Sequence, residues 1–119
     1  FVNLTQHQAT PEQRAEGLVD LPPAQRAELQ RLLTFDDLPT TGQVVERAEA
    51  IAEIASTLSA ETAMVGGAPY LMGPLARALK SRGIAPRYSF TRREAMEETL
   101  PDGSVRKTQV FRHVGWVTC

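Results

Sequence analysis

Two short segments of this sequence combine residue types that hold phosphate and ribose groups. The first is Thr5-Gln6-His7-Gln8, which offers hydroxyl, amide and imidazole groups. The second is Gly66-Gly67-Ala68-Pro69-Tyr70, where glycine lets an anion approach the backbone and free N–H groups favour negative charge. We expect both segments to bind a ligand, with Tyr70 stacking on a base. A tight turn without a ligand also explains the glycine pair, and Tyr70 would then be a partly buried packing aromatic.

A third segment runs from Ser89 through Thr91 into the pair Arg92-Arg93, and it joins hydroxyl groups to cationic ones. Further basic residues follow near the end of the chain, and three glutamates oppose them: Arg106, Lys107, Arg112, Glu94, Glu97 and Glu98. These charges either form a cationic surface or pair with one another across two strands.

Two histidines stand far apart in the chain. His7 follows the first predicted strand, where it could serve a ligand or bond a nearby carbonyl. His113 lies in an apolar strand, where a lone histidine is more often structural than catalytic. Because no acidic residues accompany either histidine at ligand spacing, we expect no metal site and no cofactor. No serine lies in a nucleophile-elbow sequence, so serine hydrolase chemistry lacks support.

The elements that must position these residues alternate between strands and helices. Strands are predicted at the start of the chain, over 18–21, over 63–65 and from residue 86 onward. Helices are predicted after Thr10, from Pro23, after Thr40 or Thr41, and from Pro69 to a glycine cap at Gly83. The turn residues at 101–104 predict a hairpin with long arms. This order predicts a single α/β domain over 1–119: a Rossmann-like open, mostly parallel sheet with flanking helices and a C-terminal β-hairpin.

Ligands of open α/β sheets bind beyond the carboxyl ends of the parallel strands. The first two segments follow the first and third predicted strands, and the fourth predicted strand passes through Ser89 and Thr91 into Arg92-Arg93. We therefore expect them to meet at one edge of the sheet. Their ligand-binding members would be Thr5, Gln6, His7, Gly66, Gly67, Ala68, Tyr70, Ser89 and Thr91.

The composition of the chain limits which classes of partner are expected. The 119 residues carry a formal net charge of -1, without the basic surplus of proteins that grip long nucleic acids. No apolar run reaches the roughly 20 residues that span a bilayer. The one cysteine, Cys119, allows no intrachain disulfide, which fits a reducing, cytoplasmic setting.

The second half of the chain resembles a known group of proteins. The motifs are Gly-Gly-Ala-Pro-Tyr-Leu-Met from Gly66, Ser-Phe-Thr-Arg-Arg-Glu from Ser89 and Val-Phe-Arg-His-Val from Val110. This pattern resembles small CRISPR-associated Rossmann-like proteins of the Csx group, which are grouped with CARF-type sensors and ring nucleases. The resemblance implies binding of a cyclic oligoadenylate second messenger and leaves its cleavage open.

The resemblance also implies roles for individual residues. Arg92 and Arg93 match a Thr-Arg-Arg motif, and one of them would clamp a phosphate. His113, in a Phe-Arg-His motif, would orient the ligand or transfer a proton if it faces the loops. Cleavage would be metal-independent: a ribose 2'-hydroxyl attacks the adjacent phosphorus, and the protein supplies position and positive charge.

A ligand of two-fold or higher symmetry implies a homodimer, and the hairpin with Phe111 and Trp116 is a candidate contact. Two alternatives remain open. One is a non-catalytic module that sequesters a nucleotide in a defence or mobile-element system. The other is a protein-interaction domain whose arginine-rich hairpin binds an acidic partner.

Overall fold

A computed structural model describes residues 1–118 as a five-stranded sheet with helices packed on it. The prediction drawn from Cys119 lies outside these residues. The strands are β1 (Val2–Leu4), β2 (Val19–Asp20), β3 (Thr62–Val65), β4 (Ala85–Thr99) and β5 (Val105–Thr118). The helices are α1 (Pro11–Ala15), α2 (Pro23–Leu33), α3 (Thr41–Thr57) and α4 (Pro69–Ser81). The predicted α/β class with a C-terminal hairpin is confirmed.

Two helices begin with reciprocal capping boxes. The Gln13 N–H donates to Thr10 Oγ1 at 3.2 Å, and the Thr10 N–H donates to Gln13 Oε1 at 3.0 Å. Thr40 and Gln43 repeat this arrangement at the start of α3. Each box satisfies N–H groups that a helix start leaves without partners. The predicted caps at Thr10 and Thr40 are confirmed.

The order of the strands creates a point where the sheet reverses its winding. The order is β2-β1-β3-β4-β5. β1 runs parallel to β2 and β3, β3 runs parallel to β4, and β5 is antiparallel to β4. The chain therefore places β2 on one side of β1 and then crosses back over β1 to form β3 on its other side. Open α/β sheets bind their ligands beyond the carboxyl ends of the strands at such a point.

The core lies mainly on one face of the sheet. Ala63 and Val65 point into a large apolar cluster with α2, α3 and α4. Met64 points to the opposite face, into a smaller cluster with Ala9 and Leu18, which flank α1. Alternate residues of a strand face opposite sides, so β3 anchors both clusters. The largest fully buried side chains are Leu4, Leu29, Ile51, Leu71, Leu75, Leu79 and Pro86.

The hairpin extends well past the rest of the sheet. β4 pairs with β3 only from Ala85 to Arg87, whereas its pairing with β5 continues to Thr99. The two strands shift register between Phe90 and Thr91, where β5 carries one extra residue, as at a β-bulge. We call the part beyond this bulge, residues 91–99 and 105–113, the ribbon.

Charges on the ribbon are largely paired across its two strands. Glu98 contacts Arg106 at 2.8 Å, and Lys107 lies 3.9 Å from Glu97. The structure thus shows cross-strand ion pairing for these basic residues. At the turn, Asp102 accepts hydrogen bonds from the N–H and hydroxyl of Ser104.

Leu75 tests the packing of α4 against the sheet. Its side chain is fully buried in the large cluster. We expect Leu75→Ala to lower the free energy of unfolding by about 2–5 kcal/mol, because it removes apolar contacts and leaves a cavity. Urea unfolding measures the change. Val45→Ala, at an exposed position of α3, should change it by no more than about 0.5 kcal/mol. Equal losses of unfolding free energy for the two substitutions would contradict the placement of Leu75 in the core.

Candidate ligand-binding site

A cavity of about 590 Å³ opens at the carboxyl ends of β1 and β3, beside the part of β4 that continues past its pairing with β3. Residues 5–8 after β1 form one wall, and residues 64–68 at the end of β3 form another. Ser89 and Thr91 of β4 contribute a third side, and Thr10 and Gln13 of α1 complete it. The cavity therefore lies at the point where the sheet reverses its winding.

The structure brings most of the predicted ligand-binding residues together in this lining. They are Thr5, Gln6, His7, Gly66, Gly67, Ala68, Ser89 and Thr91. Leu33, Met64 and Val65 add apolar surface beside the polar loops. A largely apolar cavity with a few placed polar groups is typical of small-molecule sites.

Asn3 holds the first loop in place. Its side chain is 3% exposed, and each of its four hydrogen-bonding positions has a partner. The amide nitrogen donates to the His7 carbonyl at 2.7 Å and to Asp20 Oδ1 at 2.8 Å. The amide oxygen accepts from the N–H and hydroxyl of Thr5, at 2.9 and 2.7 Å. A single buried amide thus fixes both ends of the turn from Thr5 to His7.

Asp20 of β2 anchors the other end of this loop. Its carboxylate accepts from the Ala9 N–H at 3.0 Å and lies 3.4 Å from the Arg14 guanidinium. Burial alone would raise the pKa of Asp20, but hydrogen bonds from Asn3, Ala9 and Arg14 outweigh it and hold this pKa below its ordinary value. Folding therefore favours the ionised carboxylate.

The glycine loop lies directly against the first loop. A Cβ at Gly66 would stand 3.3 Å from Thr5 Cγ2, which is tighter than ordinary contact. Gly67 has a φ of 151°, a conformation that other residues rarely adopt. Glycine therefore serves both the close approach and the turn, and α4 begins two residues later at Pro69.

Ser89 connects the cavity to a buried histidine. Its hydroxyl lies 2.5 Å from Nδ1 of His113, and its oxygen accepts from Gln13 Nε2 at 3.3 Å. On the far side of the imidazole, Nε2 lies 3.3 Å from Glu16 Oε1. The Trp116 indole N–H donates to the same carboxylate. The chain Gln13, Ser89, His113, Glu16 links α1 to the hairpin, and we call it the Ser89 relay.

Four predicted site residues lie outside the cavity lining: Tyr70, Arg92, Arg93 and His113. Tyr70 packs edge-on against Phe35, with ring centroids 5.4 Å apart, and is 53% exposed, so it makes the contact that the packing alternative expects. Arg92 stands opposite Arg112 in the ribbon. The Arg93 guanidinium lies over the ring of Phe111, 5.4 Å from its centroid. Neither arginine reaches the lining, which contains no lysine or arginine from residues 1–118.

His113 also stays out of the lining, but it reaches the cavity through Ser89. Its side chain is 2% exposed, so a ligand would meet Ser89 rather than the imidazole.

Sequence reasoning missed Asn3, Asp20, Gln13 and Glu16 as members of the site. The Gln13 side-chain amide belongs both to the capping box of α1 and to the site. Asn3 in an otherwise apolar strand was a detectable signal, since a buried amide needs several partners. Glu16 lies 97 positions from His113, and no sequence pattern joins them.

The fold and the site define an α/β domain with a cavity at the ends of its parallel strands. A family model described as "Uncharacterized protein MJ1673 family" matches residues 1–117, and the chain belongs to this family. No curated protein and no solved structure matches the chain. A search of residues 1–118 for a helix with the length and apolar character to cross a membrane finds none.

Asp20 makes the stability of the domain depend on pH. Its folded pKa is lower than the ordinary 3.8, so its contribution is complete above that value and is lost as the pH falls through the folded pKa. We expect Asp20→Asn to lower the free energy of unfolding at pH 7 by about 1–2 kcal/mol, because a charge-assisted network is weakened. The deficit should shrink below about pH 4.

Urea unfolding at pH 7, 5 and 3 measures this difference. Asp37→Asn, at an exposed loop position, is the matched control and should show no such dependence. A deficit for Asp20→Asn that stays constant from pH 7 to pH 3 would contradict the assignment.

Proposed function

We propose that this domain binds a cyclic oligoadenylate in the strand-end cavity. The observation that supports the proposal most strongly is that the loops after β1 and β3 meet the side chains of Ser89 and Thr91 in β4 around one cavity of about 590 Å³. Volumes of roughly 300–1,000 Å³ are usual for small-molecule sites. The cavity therefore suits one nucleotide unit of such a ring, with the other units outside it.

The two sides of the cavity suit the two parts of a nucleotide. Leu33, Met64 and Val65 offer apolar surface for a base. The Gly66-Gly67 turn has no side chains to obstruct a phosphate, and it stands just before the first turn of α4. Backbone N–H groups at such a turn attract anionic oxygen.

Arg93 is the better placed of the two predicted phosphate clamps. Ser89, Thr91 and Arg93 alternate along β4 and so share one face of the strand, whereas Arg92 is on the other. Ser89 and Thr91 line the cavity. A phosphate that extends past Thr91 would therefore meet the Arg93 guanidinium.

A homodimer remains part of the proposal, because a symmetric ring presents identical units to identical cavities. Exposed apolar side chains on and beside the ribbon support a contact there: Phe90, Met96, Phe111, Val114 and Val117. Trp116 belongs to the inside of the chain instead, since its ring packs on Phe1 at 4.9 Å between centroids.

Several finer features remain predictions beside the binding proposal. They are membership of the CRISPR-associated group, the Rossmann-like identity of the sheet, a cytoplasmic setting and cleavage through the ligand's 2'-hydroxyl. The strand order supports the Rossmann-like identity, because doubly wound folds with the order 2-1-3-4-5 bind ligands at the β1/β3 boundary. Cleavage would need positive charge at the phosphorus, for which Arg93 is the nearest candidate.

Isothermal titration calorimetry with cyclic tetra- and hexa-adenylate in EDTA tests the binding. We expect one of the two rings to bind, and chromatography of the same mixture detects any linear product. Thr91→Glu should weaken binding more than tenfold by placing a negative charge at the cavity. Thr99→Glu, the same change at the far end of the strand, should leave the affinity unchanged.

A second pair of variants tests the face of β4 that meets the ligand. Arg93→Ala should weaken binding about tenfold, which corresponds to ~1.4 kcal/mol, whereas Arg92→Ala should have little effect. If neither ring binds, the cyclic oligoadenylate proposal fails. Equal losses for Thr91→Glu and Thr99→Glu would show that the ligand binds elsewhere.

A further inference from the structure

We propose that Ser89 is an activated nucleophile and that the cavity hydrolyses a carboxylic ester by way of an acyl-serine. The inference rests on the Ser89 relay and is independent of the ligand proposed above. Ser89 stands in the cavity wall with its hydroxyl 2.5 Å from His113 Nδ1. A nucleophile within hydrogen-bond reach of a base, which is oriented by a third group, is the arrangement that activates a serine.

The hydrogen bonds around Ser89 set the direction of proton transfer. Gln13 Nε2 can only donate, so the Ser89 oxygen accepts from it. The Ser89 proton is then directed to Nδ1 of His113. In a neutral imidazole the other nitrogen carries the proton, and here that nitrogen faces Glu16. The relay thus presents the basic nitrogen of His113 to the serine hydroxyl.

Glu16 and Trp116 hold the imidazole in this orientation. The Glu16 carboxylate faces Nε2 of His113 and also accepts the indole N–H of Trp116. The indole ring stands 4.6 Å from the imidazole, measured between centroids. A carboxylate in this position stabilises the imidazolium that forms when His113 takes a proton. Glu16 is therefore a positioning residue.

The β-bulge explains how a strand serine acquires these partners without a nucleophile elbow. The register shift between Phe90 and Thr91 lies immediately beside Ser89. Bulges re-aim side chains, and this one brings both His113 and Trp116 to the same face as Ser89. The absence of an elbow sequence therefore does not exclude an activated serine here.

Gln13 and the charge of the cavity favour a carboxylic ester over a phosphodiester. Gln13 is 7% exposed as a residue, and its amide oxygen accepts from the Thr10 N–H at 3.0 Å. Its NH2 group is therefore fixed beside Ser89, where a developing oxyanion needs a donor. Attack by Ser89 on a phosphodiester would add charge to an existing anion and would need a cation beside Ser89. The lining drawn from the described residues has neither lysine nor arginine.

His113 accepts and returns each proton that the reaction transfers. The Ser89 oxygen forms a bond to the ester carbonyl carbon as its proton passes to His113 Nδ1. The carbon–oxygen bond to the alcohol then breaks, and the alcohol leaves with that proton. In the second step His113 takes a proton from water as the water oxygen bonds to the acyl carbon. The bond from this carbon to the Ser89 oxygen then breaks, the carboxylic acid leaves, and the proton on His113 returns to the Ser89 oxygen. No oxidant, metal or co-reactant besides water is required.

A fluorophosphonate tests the reactive serine directly, because it forms a stable adduct only with an activated hydroxyl. We expect mass spectrometry of the treated full chain to show one adduct, mapped to the peptide with Ser89. The protein should also hydrolyse p-nitrophenyl butyrate, with a burst of p-nitrophenol equal to the protein concentration. Both signals should disappear in Ser89→Ala and persist in Ser104→Ala, a serine in the hairpin turn.

Variants of the base and of the positioning residue distinguish this role from a structural one. His113→Gln should slow labelling by at least roughly 100-fold, and Glu16→Gln by at least roughly tenfold, at unchanged far-UV circular dichroism. Labelling of Ser89 in the wild-type protein is measured without any variant, so it tests the proposal even if His113→Gln fails to fold. The proposal is overturned if the wild type gives no adduct on Ser89. It is also overturned if folded His113→Gln or Glu16→Gln is labelled at the wild-type rate.

Discussion

The buried amide of Asn3 is the constraint on which the site depends. β1 contributes only three residues to the sheet, so the chain after it has little pairing to guide it. Asn3 supplies that guidance by holding Thr5, His7 and Asp20 at once. Because its four polar positions are all satisfied inside the protein, any movement of the loop would leave a buried donor or acceptor without a partner. The wall of the cavity is therefore as fixed as the strand that precedes it.

The same dependence links the cavity to the rest of the molecule. Asp20 ties the loop to the edge strand β2, and Thr5 in turn touches the glycine loop at Gly66. Gln13 connects α1 to Ser89, and Glu16 connects it to the hairpin through His113. The five-residue helix α1 is thus connected to other elements through Gln13 at its centre and Glu16 at its C-cap. The hairpin contributes to the site near the bulge, through Ser89, Thr91 and His113, and the outer part of the ribbon does not line the cavity.

Much of the fold was predictable because its signals are local. A capping box needs only Thr10 and Gln13, and the hairpin turn needs only residues 101–104. The meeting of the loops after β1 and β3 was also predictable, since parallel strands end at a common edge. Ser89 and Thr91 join them from within β4, which continues to Thr99. The relay was not, because it depends on side chains 24 and 97 positions apart and on a bulge that the sequence does not mark. The position of β4 had to be known before the alternation of its side chains could place Arg93 and Arg92 on opposite faces.

Amide hydrogen exchange measured residue by residue tests the central claim most directly. The N–H groups of Thr5 and Ala9 donate to the side chains of Asn3 and Asp20, so they should exchange slowly in the native protein. In Asn3→Ala both should exchange much faster, while amides of α3 keep their protection. If these two amides exchange rapidly in the unaltered protein, or remain protected after Asn3 is truncated, the loop is held by something else and the account is contradicted.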